Sequence, residues 1–368
     1  MLDFTSSLYL GFTHPSEGLR QWPALTSGIP AALGVPPLQH HVERGLARLT
    51  GAEQARLAPS TLHVFWDLFG NPLSEYESVL FDYGSYAIGR WGAARALARG
   101  SRVGDFSHHS PGALERKIRA VATRRRPVVV TDGFCINCGR PAPIADYLSI
   151  VAPKRGVLLV DDTQALGILG VGSPERAGGG GSLCALPSHR PNVLVIASLA
   201  KAFGVPAAFL AGDAEWIGRV SAEGDTAYHS SPPSACDIRA TERALALNRA
   251  CGERLRGRLR RVVAAFRRLL GELGLYPLGS NFPVQTLVGW DLRELRELHR
   301  RLLDRGIRTV LRRVECVSAF GLTFLLTVHH SLADVERAAC LVARILIDQQ
   351  RSFGEWRDVN RFKGSALA

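Results

Sequence analysis

The chain has 368 residues, and its 45 lysines and arginines against 33 aspartates and glutamates give it a formal charge of +12. Hydrophobic residues make up 46% and charged residues 21%, a globular composition that excludes a disordered or collagen-like protein. Zinc-finger spacing, aromatic RNA-binding motifs and recognition-helix patterns are absent from the sequence. The charge therefore does not indicate a nucleic acid partner, but it is compatible with an anionic substrate.

The first two thirds of the sequence alternate between helical and extended patterns. Residues 1–35 are rich in Pro, Gly, Ser and Thr and predict an irregular arm. Apolar spacing then predicts helices over Pro37–Thr50 and Leu62–Leu68. Further on, the predicted strands are Ser78–Asp82, Pro127–Thr131, Gly156–Val160 and Asn192–Ala197, and helices between them include Ala113–Thr123 and Ala142–Val151. This alternation predicts an α/β fold with a mostly parallel sheet covered by helices on both faces.

The pattern changes near Ala235. A long helix is predicted over 235–273, and we interpret its arginines between Arg254 and Arg268 as a solvated face. The later predicted elements are strands at Pro283–Val288, Thr309–Arg313 and Leu322–Val328 and helices at Leu292–Arg305 and Leu332–Asp348. We therefore divide the chain into an N-terminal arm (1–35), a large α/β domain (36–235), a smaller α+β domain (236–350) and a tail (351–368).

Two features suggest special chemistry but favour an ordinary interpretation. Cys135 and Cys138 are two of seven cysteines, and no second ligand pair accompanies them, so we interpret them as structural or incidental thiols and expect no metal. The glycine run Gly178–Gly181 predicts a mobile loop, because no strand leads directly into it as a phosphate cradle would require. No leader and no apolar run of about 18 residues is evident, so we expect a cytoplasmic protein without a membrane span.

Three predicted strands end in polar residues that an apolar core would not select. They are followed by Thr131-Asp132-Gly133, by Asp161-Asp162-Thr163-Gln164 and by Ser198-Leu-Ala-Lys201. In a parallel sheet these positions lie at the carboxyl ends of the strands, where ligands bind. An Asp after a strand is ordinarily a turn or capping residue. The order and spacing of all three together indicate a ligand site.

At these residues the sequence resembles the fold-type I pyridoxal 5′-phosphate (PLP) enzymes, most closely the α-oxoamine synthase branch of the class II aminotransferases. That branch includes 8-amino-7-oxononanoate synthase and 2-amino-3-ketobutyrate ligase. The most specific match is Ser-Leu-Ala-Lys201-Ala-Phe-Gly, which resembles the family's T-L-S-K-A-x-G. The resemblance extends from about residue 35 to residue 345, and its other matches are Asp161-Asp162-Thr-Gln164 with V-D-D-A-H, Thr131-Asp132-Gly133 with T-E-G, Ala142-Pro143-Ile144 with A-P-L, Phe-x-His108 and Pro232-Pro233.

The resemblance implies PLP as cofactor and gives two residues the central roles. Lys201 would form a Schiff base with the cofactor aldehyde and then move the substrate's proton. Asp161 would keep the pyridine nitrogen protonated, so that the ring withdraws electrons from a carbanion. The chain has only four lysines, and a lysine between an apolar strand and a Phe-Gly turn is unusual for a surface position.

The resemblance also implies a set of cofactor-binding residues. The phosphate is expected at a helix N-terminus, where free N–H groups and the helix dipole favour an anion. Ser60 and Thr61 precede a predicted helix and match the family's phosphate turn, although Ser60 is equally compatible with a plain N-cap. Ser198 matches the phosphate-binding Thr, and Ser230 is expected to reach the phosphate of a neighbouring subunit. Asp132 lies in the T-E-G match.

The sequence departs from the family at several positions. Tyr86 stands where the family has a ring-stacking His, and it can stack but cannot act as an imidazole acid or base. Gln164 replaces the His of D-x-A-H, and it can hydrogen-bond the ring oxygen but cannot titrate. Ile136 replaces a Ser that would contact the same oxygen in the family. The strand that carries the family's carboxylate-binding arginine, Ala319–Phe324, has no arginine. Either another arginine replaces it, or the amino substrate lacks an ordinary α-carboxylate; the nearest arginines, which equally could face solvent, are Arg308, Arg312 and Arg313.

The resemblance implies an α-oxoamine-synthase-like transferase that condenses an amino acid with an acyl thioester of CoA or a carrier protein and releases carbon dioxide. The basic surface suits an anionic donor of this kind. Because the histidines are altered, a PLP-dependent aminotransferase is the alternative. A catalytically inactive partner subunit is a minor alternative, and the retention of Lys201 and Asp161 argues against it. The resemblance also implies a homodimer with its active site at the subunit interface.

Overall fold

The structure is a computed structural model that describes residues 1–121, 126–173, 177–186 and 191–353. In chain order, the helices are α1 Pro37–Thr50, α2 Thr61–Leu68, α3 Ala87–Ala98, α4 Pro111–Val121, α5 Ile144–Val151, α6 Ala214–Glu223, α7 Asp225–His229, α8 Ala235–Glu272, α9 Leu292–Asp304 and α10 Leu332–Phe353. The strands are β1 Leu2–Asp3, β2 Gln54–Ala58, β3 Ser78–Asp82, β4 Arg102–Phe106, β5 Pro127–Asp132, β6 Phe134–Cys135, β7 Arg140–Pro141, β8 Val157–Asp161, β9 Val193–Ser198, β10 Ala208–Gly212, β11 Val284–Leu287, β12 Ile307–Arg308, β13 Val310–Val314 and β14 Ala319–Leu325.

The chain forms two compact units. The large unit comprises Phe12–Cys135 and Pro141–Gly252, and the small unit comprises Met1–Gly11, Ile136–Arg140 and the chain from Glu253 onward. The domain limits drawn from the sequence stay predictions. Most of the predicted tail, residues 354–368, lies outside the described residues.

The large unit is built on a seven-stranded sheet in the order β2-β10-β9-β8-β5-β3-β4. Strands β9, β8, β5, β3 and β4 run parallel, while β10 is antiparallel to both of its neighbours. The central strands are continuous apolar runs, such as Val128–Val130 and Val157–Val160, and these side chains are buried. Such runs are typical of parallel strands with both faces covered. The four strands predicted here are found within one residue of their limits, and the α/β fold class is confirmed.

The small unit contains a three-stranded antiparallel sheet in the order β11-β14-β13. Helix α9 begins with a capping box, in which Asp291 accepts from the N–H of Glu294 and the Glu294 side chain accepts from Asp291. The predicted strand Leu322–Val328 is displaced along the chain. β14 runs from Ala319 to Leu325, because its pairing with β13 begins where Ala319 lies opposite Val314. The apolar residues beyond Leu325 are buried without belonging to the ladder.

The arginine-rich part of α8 is largely the solvated face that the sequence predicts. Arg254, Arg258 and Arg261 are exposed. Arg256 is an exception, because its guanidinium is buried and donates to the Glu253 carboxylate at 2.9 Å. Among the described residues, no helix is long and apolar enough to cross a lipid bilayer.

Candidate active site

Three neighbouring strands of the large sheet bring the polar strand ends together. β5, β8 and β9 lie side by side and parallel, so their carboxyl ends share one edge of the sheet. Asp132 is paired in register with Asp161, and Ser198 is the last residue of β9, three positions before Lys201. The structure therefore brings these residues to one place, as expected for the ends of parallel strands. Their individual roles stay predictions.

Lys201 and Asp161 act on each other electrostatically. The Asp161 side chain is buried, and its Oδ1 accepts the N–H of Thr163 at 3.0 Å. Burial lowers the pKa of the Lys201 amine, and the charge of Asp161 opposes this shift. Burial raises the pKa of Asp161, opposed by hydrogen bonds from Thr163 and by the charge of Lys201. A lysine with a lowered pKa holds more of its amine in the neutral, nucleophilic form.

The structure separates the two adjacent aspartates by what they contact. Asp162 is fully buried, and it accepts the Ser182 hydroxyl at 2.6 Å and the Ser182 N–H at 2.8 Å. A Cβ atom at Gly133 or at Gly181 would lie about 2 Å from a carboxylate oxygen of Asp162, so both positions require glycine. Asp162 is thus committed to holding the chain around it, which leaves Asp161 as the carboxylate available to a ligand.

The glycine run Gly178–Gly181 is a packed segment, and its prediction as a mobile loop was wrong. All four glycines are buried. The N–H of Gly179 donates to the carbonyl of Gly170, and the carbonyl of Gly179 accepts the N–H of Gly167. The N–H of Gly181 donates to the carbonyl of Leu169 at 3.0 Å. A Cβ at Gly180 would lie 2.0 Å from the carbonyl oxygen of Leu49. The glycines are needed for close backbone packing rather than for flexibility.

Asp132 links the strand ends to helix α3. Its Oδ1 accepts the backbone N–H of Tyr86, the N-cap of α3, at 3.1 Å. Burial and the nearby charge of Asp161 raise the pKa of Asp132 well above its usual range. The Tyr86 ring is 69% exposed and can therefore stack on a bound planar group. The strand edge thus carries two carboxylates whose ionisation is unfavourable unless a cation is bound beside them.

We expect Asp132→Asn to stabilise the cofactor-free chain by about 1 kcal/mol or more at neutral pH. Because the folded-state pKa of Asp132 is raised, the native state holds its proton more tightly than the unfolded chain. Stability is therefore lost as pH rises through the folded-state pKa. The Asn side chain keeps the acceptor for Tyr86 but has no proton to lose.

Urea denaturation at pH 7.5 and at pH 5 checks this expectation. The gain in the free energy of unfolding should shrink at pH 5, where part of the wild-type Asp132 is protonated. The exposed Asp146→Asn is the matched control and should change little. A gain that is equal at both pH values, or absent at both, would contradict the raised pKa.

The N-terminus of α2 offers two backbone donors. Ser60 is the N-cap, its hydroxyl oxygen accepts from the N–H of His63, and its carbonyl accepts from the N–H of Val64. The N–H groups of Thr61 and Leu62 have no acceptor among the residues that the structure describes. Unsatisfied N–H groups at the start of a helix favour an anion. Ser60 is thus an N-cap, and this role is compatible with the predicted phosphate site.

The remaining predicted residues also lie in the large unit. The Ser198 hydroxyl oxygen accepts the N–H of Ala200 at 3.2 Å. Ser230 directly follows α7, and its hydroxyl donates to the carbonyl of Thr226 at 2.5 Å. Gln164 is half-buried in the turn after β8. The roles of these three side chains in cofactor binding stay predictions.

A buried network around Asp82 was missed by the sequence analysis. Asp82, at the end of β3, lies 2.5 Å from Nδ1 of His108 and accepts the Tyr147 hydroxyl at 2.9 Å. It also accepts the N–H groups of Gly84 and His109. Burial would raise the pKa of Asp82, but the His108 contact and these N–H groups outweigh it and lower the pKa. The residue is thus a fixed anion, and its charge contributes to the raised pKa of Asp132.

The small unit shows what has become of the arginines near the missing carboxylate clamp. Arg308 lies 3.7 Å from Asp3, and the Nε of Arg313 lies 3.4 Å from Glu315. Both are exposed on at least half of their side-chain surface and make surface ion pairs. Among the described residues, neither guanidinium bonds to the strand in which the family's arginine is missing, and Arg313 meets that strand only through the backbone ladder, opposite Phe320.

Arg312 is the arginine whose side chain contacts this strand. Its Nε donates to the Thr323 hydroxyl on β14 at 3.0 Å, and its Nη2 lies 3.3 Å from both the Thr286 hydroxyl and the Ile136 carbonyl. Its Nη1 donates to the side-chain oxygen of Asn137. The guanidinium is therefore occupied by protein acceptors, which is typical of a structural arginine rather than of a free carboxylate clamp.

The donor set at the strand ends fits PLP. It combines a half-buried amine, a buried carboxylate, two unsatisfied helix N–H groups and an exposed aromatic ring, at Lys201, Asp161, Thr61, Leu62 and Tyr86. These groups match an aldehyde, a protonated ring nitrogen, a phosphate and a planar ring. Burial raises the pKa of Asp161, and a pyridinium cation beside it would favour the ionised carboxylate and oppose that shift.

Comparison with known proteins identifies the family. The family model for aminotransferase class I and II matches residues 98–340. The 8-amino-7-oxononanoate synthase of Nitrosococcus oceani is 30% identical over 360 residues, which cover 94% of this chain and 92% of that protein. That of Thioalkalivibrio sulfidiphilus is 28% identical over 349 residues, 92% of this chain and 86% of that protein.

Solved structures show the same fold at lower sequence identity. Serine palmitoyltransferase from S. paucimobilis, solved with a PLP–myriocin adduct, superposes with a TM-score of 0.82 and 16% identity, over 96% of this chain and 88% of that one. The 8-amino-7-oxononanoate synthase of Francisella tularensis gives a TM-score of 0.73 at 16% identity, over 95% of this chain and 98% of that one. The chain belongs to the class I and II aminotransferase family of PLP-dependent enzymes, in the α-oxoamine synthase branch that the motif around Lys201 predicts.

Proposed function

We propose that this chain condenses an amino acid with an acyl thioester and releases the amino acid's carboxylate as carbon dioxide. The observation that carries the proposal is the pairing of half-buried Lys201 with buried Asp161 at the carboxyl edge of the parallel sheet, in a chain of this family. Both residues keep the types that the chemistry requires. A catalytically inactive subunit would not need to maintain a partly desolvated amine beside a buried carboxylate.

Bound PLP supplies an aldehyde that links to amines and a ring that withdraws electrons from the α-carbon of an attached amino acid. In our proposal the Lys201 amine holds the aldehyde until substrate arrives. It would then take the proton from the α-carbon, which attacks the thioester carbonyl. The carbon–carbon bond forms as the carbon–sulfur bond breaks, and the sulfur leaves as the free thiol. The carboxylate is then lost as carbon dioxide, and a proton returns to the α-carbon. Asp161 keeps a proton on the ring nitrogen, and the lowered pKa of Lys201 keeps its amine ready to accept a proton.

The other predicted residues would position the cofactor. We propose that the ring stacks on Tyr86 and accepts a hydrogen bond from the amide of Gln164 at its phenolic oxygen. Neither side chain is an imidazole, so we assign proton transfer in this set to Lys201. The phosphate would be held by the N-terminus of α2 with Ser60 and Thr61, and by the hydroxyl groups of Ser198 and of Ser230 from a neighbouring subunit.

The acyl donor is proposed to be a thioester of CoA or of a carrier protein. Both carry phosphate groups, and the formal charge of +12 raises the local concentration of anions around the molecule. Because protein acceptors occupy Arg312, we do not assign it to the carboxylate of the amino acid.

A two-substrate assay tests the proposed reaction. The PLP-loaded protein is incubated with an amino acid panel and with short, long and ω-carboxylated acyl-CoA thioesters, and free thiol is measured with a thiol-specific dye. We expect thiol release only when both substrates are present. If an amino acid alone converts the cofactor to its amine form and yields a keto acid without thiol release, the chain is an aminotransferase instead.

We also propose that two copies of the chain associate through the face formed by α2 and α3. These helices pack against each other and expose large apolar side chains, among them Trp66, Tyr86 and Trp91, of which Trp91 is 61% exposed. Monomeric soluble proteins rarely expose such patches. Light scattering coupled to size exclusion should give twice the chain mass of 39.9 kDa. A mass of one chain at micromolar concentration would contradict the proposal.

The cytoplasm is the proposed location. The sequence has seven cysteines, an odd number that cannot all pair with one another within one chain. Cysteine use of this kind is typical of a reducing compartment.

A further inference from the structure

A cavity lined by several charged side chains lies in the large unit, and none of its lining residues is among those proposed to bind the cofactor. It has a volume of about 280 Å³ and lies between the loop after His14, helix α1 and the first half of α8. Its lining residues are Gly18, Leu19, Arg20, His41, Arg239, Glu242, Arg243, Ala246 and Arg249. The size is near the lower end of the range for small-molecule sites and suits a compact ligand.

The charges around this cavity are unbalanced. Four arginines line it against a single carboxylate, Glu242, which lies 3.7 Å from Arg20. Arg239 and Arg243 are four residues apart on α8 and are neighbours on its surface, and Arg249 lies six residues further along the same helix. Like charges on one stretch of a helix repel each other, so this arrangement costs stability unless an anion binds among them.

Two of these arginines also have buried donors that the protein does not satisfy. The Nε atoms of Arg239 and Arg243 are buried and have no hydrogen-bond partner among the described residues. Arg243 is held in place, because its Nη1 donates to the Gly18 carbonyl at 3.1 Å. A buried unsatisfied donor costs roughly 1–3 kcal/mol, and more when it is charged. The cavity thus combines excess positive charge with unused guanidinium donors.

We propose that this cavity binds a phosphate group. Guanidinium groups bind phosphate oxygens through paired N–H donors, and a dianion balances the excess charge better than a single carboxylate would. The group can be free inorganic phosphate or the phosphate of a larger molecule such as a nucleotide. The proposal is independent of the reaction assigned above, since none of the lining residues belongs to the cofactor site.

Calorimetric titration of the PLP-loaded protein tests the proposal, because the cofactor then fills its own phosphate site. Inorganic phosphate and adenosine 3′,5′-bisphosphate are titrated separately at constant ionic strength, with chloride as the balancing anion. We expect one site per chain for at least one of them. Tighter binding of the bisphosphate would identify a nucleotide as the source, and equal binding would identify free phosphate.

Variants of α8 complete the test. The double variant Arg239→Gln, Arg243→Gln should weaken binding about tenfold or more for each lost guanidinium. Arg249→Gln removes an exposed charge at the cavity without disturbing buried packing, so it should weaken binding even if the double variant does not fold. Arg254→Gln, exposed on the same helix outside the cavity, is the control and should bind as the wild type does. Absence of binding, or equal binding by all variants, would overturn the proposal.

Discussion

Replacing Lys201 with alanine is expected to abolish covalent attachment of PLP and to lower turnover by at least about 10³-fold. The Lys201 amine is the nucleophile of the proposed reaction, and burial lowers its pKa, so its loss removes both the covalent link and the proton transfer assigned to it. Attachment is measured by borohydride reduction of the PLP-loaded protein, followed by mass spectrometry of the intact chain. The wild type should gain one reduced cofactor, and the variant should gain none.

Lys154→Ala provides the control for this experiment. Lys154 is exposed in the short 3₁₀ turn after α5, so its loss should leave attachment and turnover unchanged. If reduction attaches the cofactor to the Lys201→Ala chain as efficiently as to the wild type, the covalent role belongs to another lysine. Peptide mapping of the reduced protein would then locate it.

Asp161→Asn is expected to lower turnover by about 10²–10³-fold while leaving the cofactor covalently attached. The amide cannot hold a proton on the ring nitrogen, so the ring would withdraw electrons less strongly. The substitution also removes the charge that raises the pKa of Lys201, and this pKa should fall further. The pH midpoint for covalent capture of PLP should therefore move to a lower pH than in the wild type, as followed by absorbance during mixing at several pH values.

Asp162→Asn distinguishes the two adjacent carboxylates. Asp162 accepts two hydrogen bonds from Ser182 and faces two glycines, so its substitution should reduce stability, measured by thermal unfolding, rather than shift the capture midpoint. Asp161→Asn should instead shift the capture midpoint without reducing stability, since it removes a buried charge. If Asp162→Asn moves the midpoint and Asp161→Asn does not, the roles are reversed.

The fold was predictable because its central strands are uniformly apolar. Within the predicted segments Pro127–Thr131 and Asn192–Ala197, residues 128–130 and 193–197 are all apolar and buried, and a strand covered on both faces of a parallel sheet requires this pattern. The glycine run Gly178–Gly181 was misinterpreted because composition alone does not distinguish a flexible loop from one that packs against Leu49 and Asp162. β14 was displaced because the apolar run continues beyond the ladder.

The site was predictable only where one residue type has few ordinary explanations. A lysine after a buried strand is such a case, and Lys201 is found at the edge of the sheet beside Asp161. Asp82 carried no comparable signal, because its partners His108 and Tyr147 come from distant segments of the chain. The engagement of Arg312 by Thr323 and Asn137 likewise depends on tertiary contacts that no local pattern reveals.

The most direct test of the proposed reaction follows the carboxylate of the amino substrate. The amino acid that supports thiol release is supplied with ¹³C in its carboxyl group, and labelled carbon dioxide and free thiol are measured in the same reaction. Decarboxylative condensation predicts equal molar amounts of the two, both lost in Lys201→Ala. Thiol release with the label retained in the organic product, or a labelled keto acid without thiol, would contradict it.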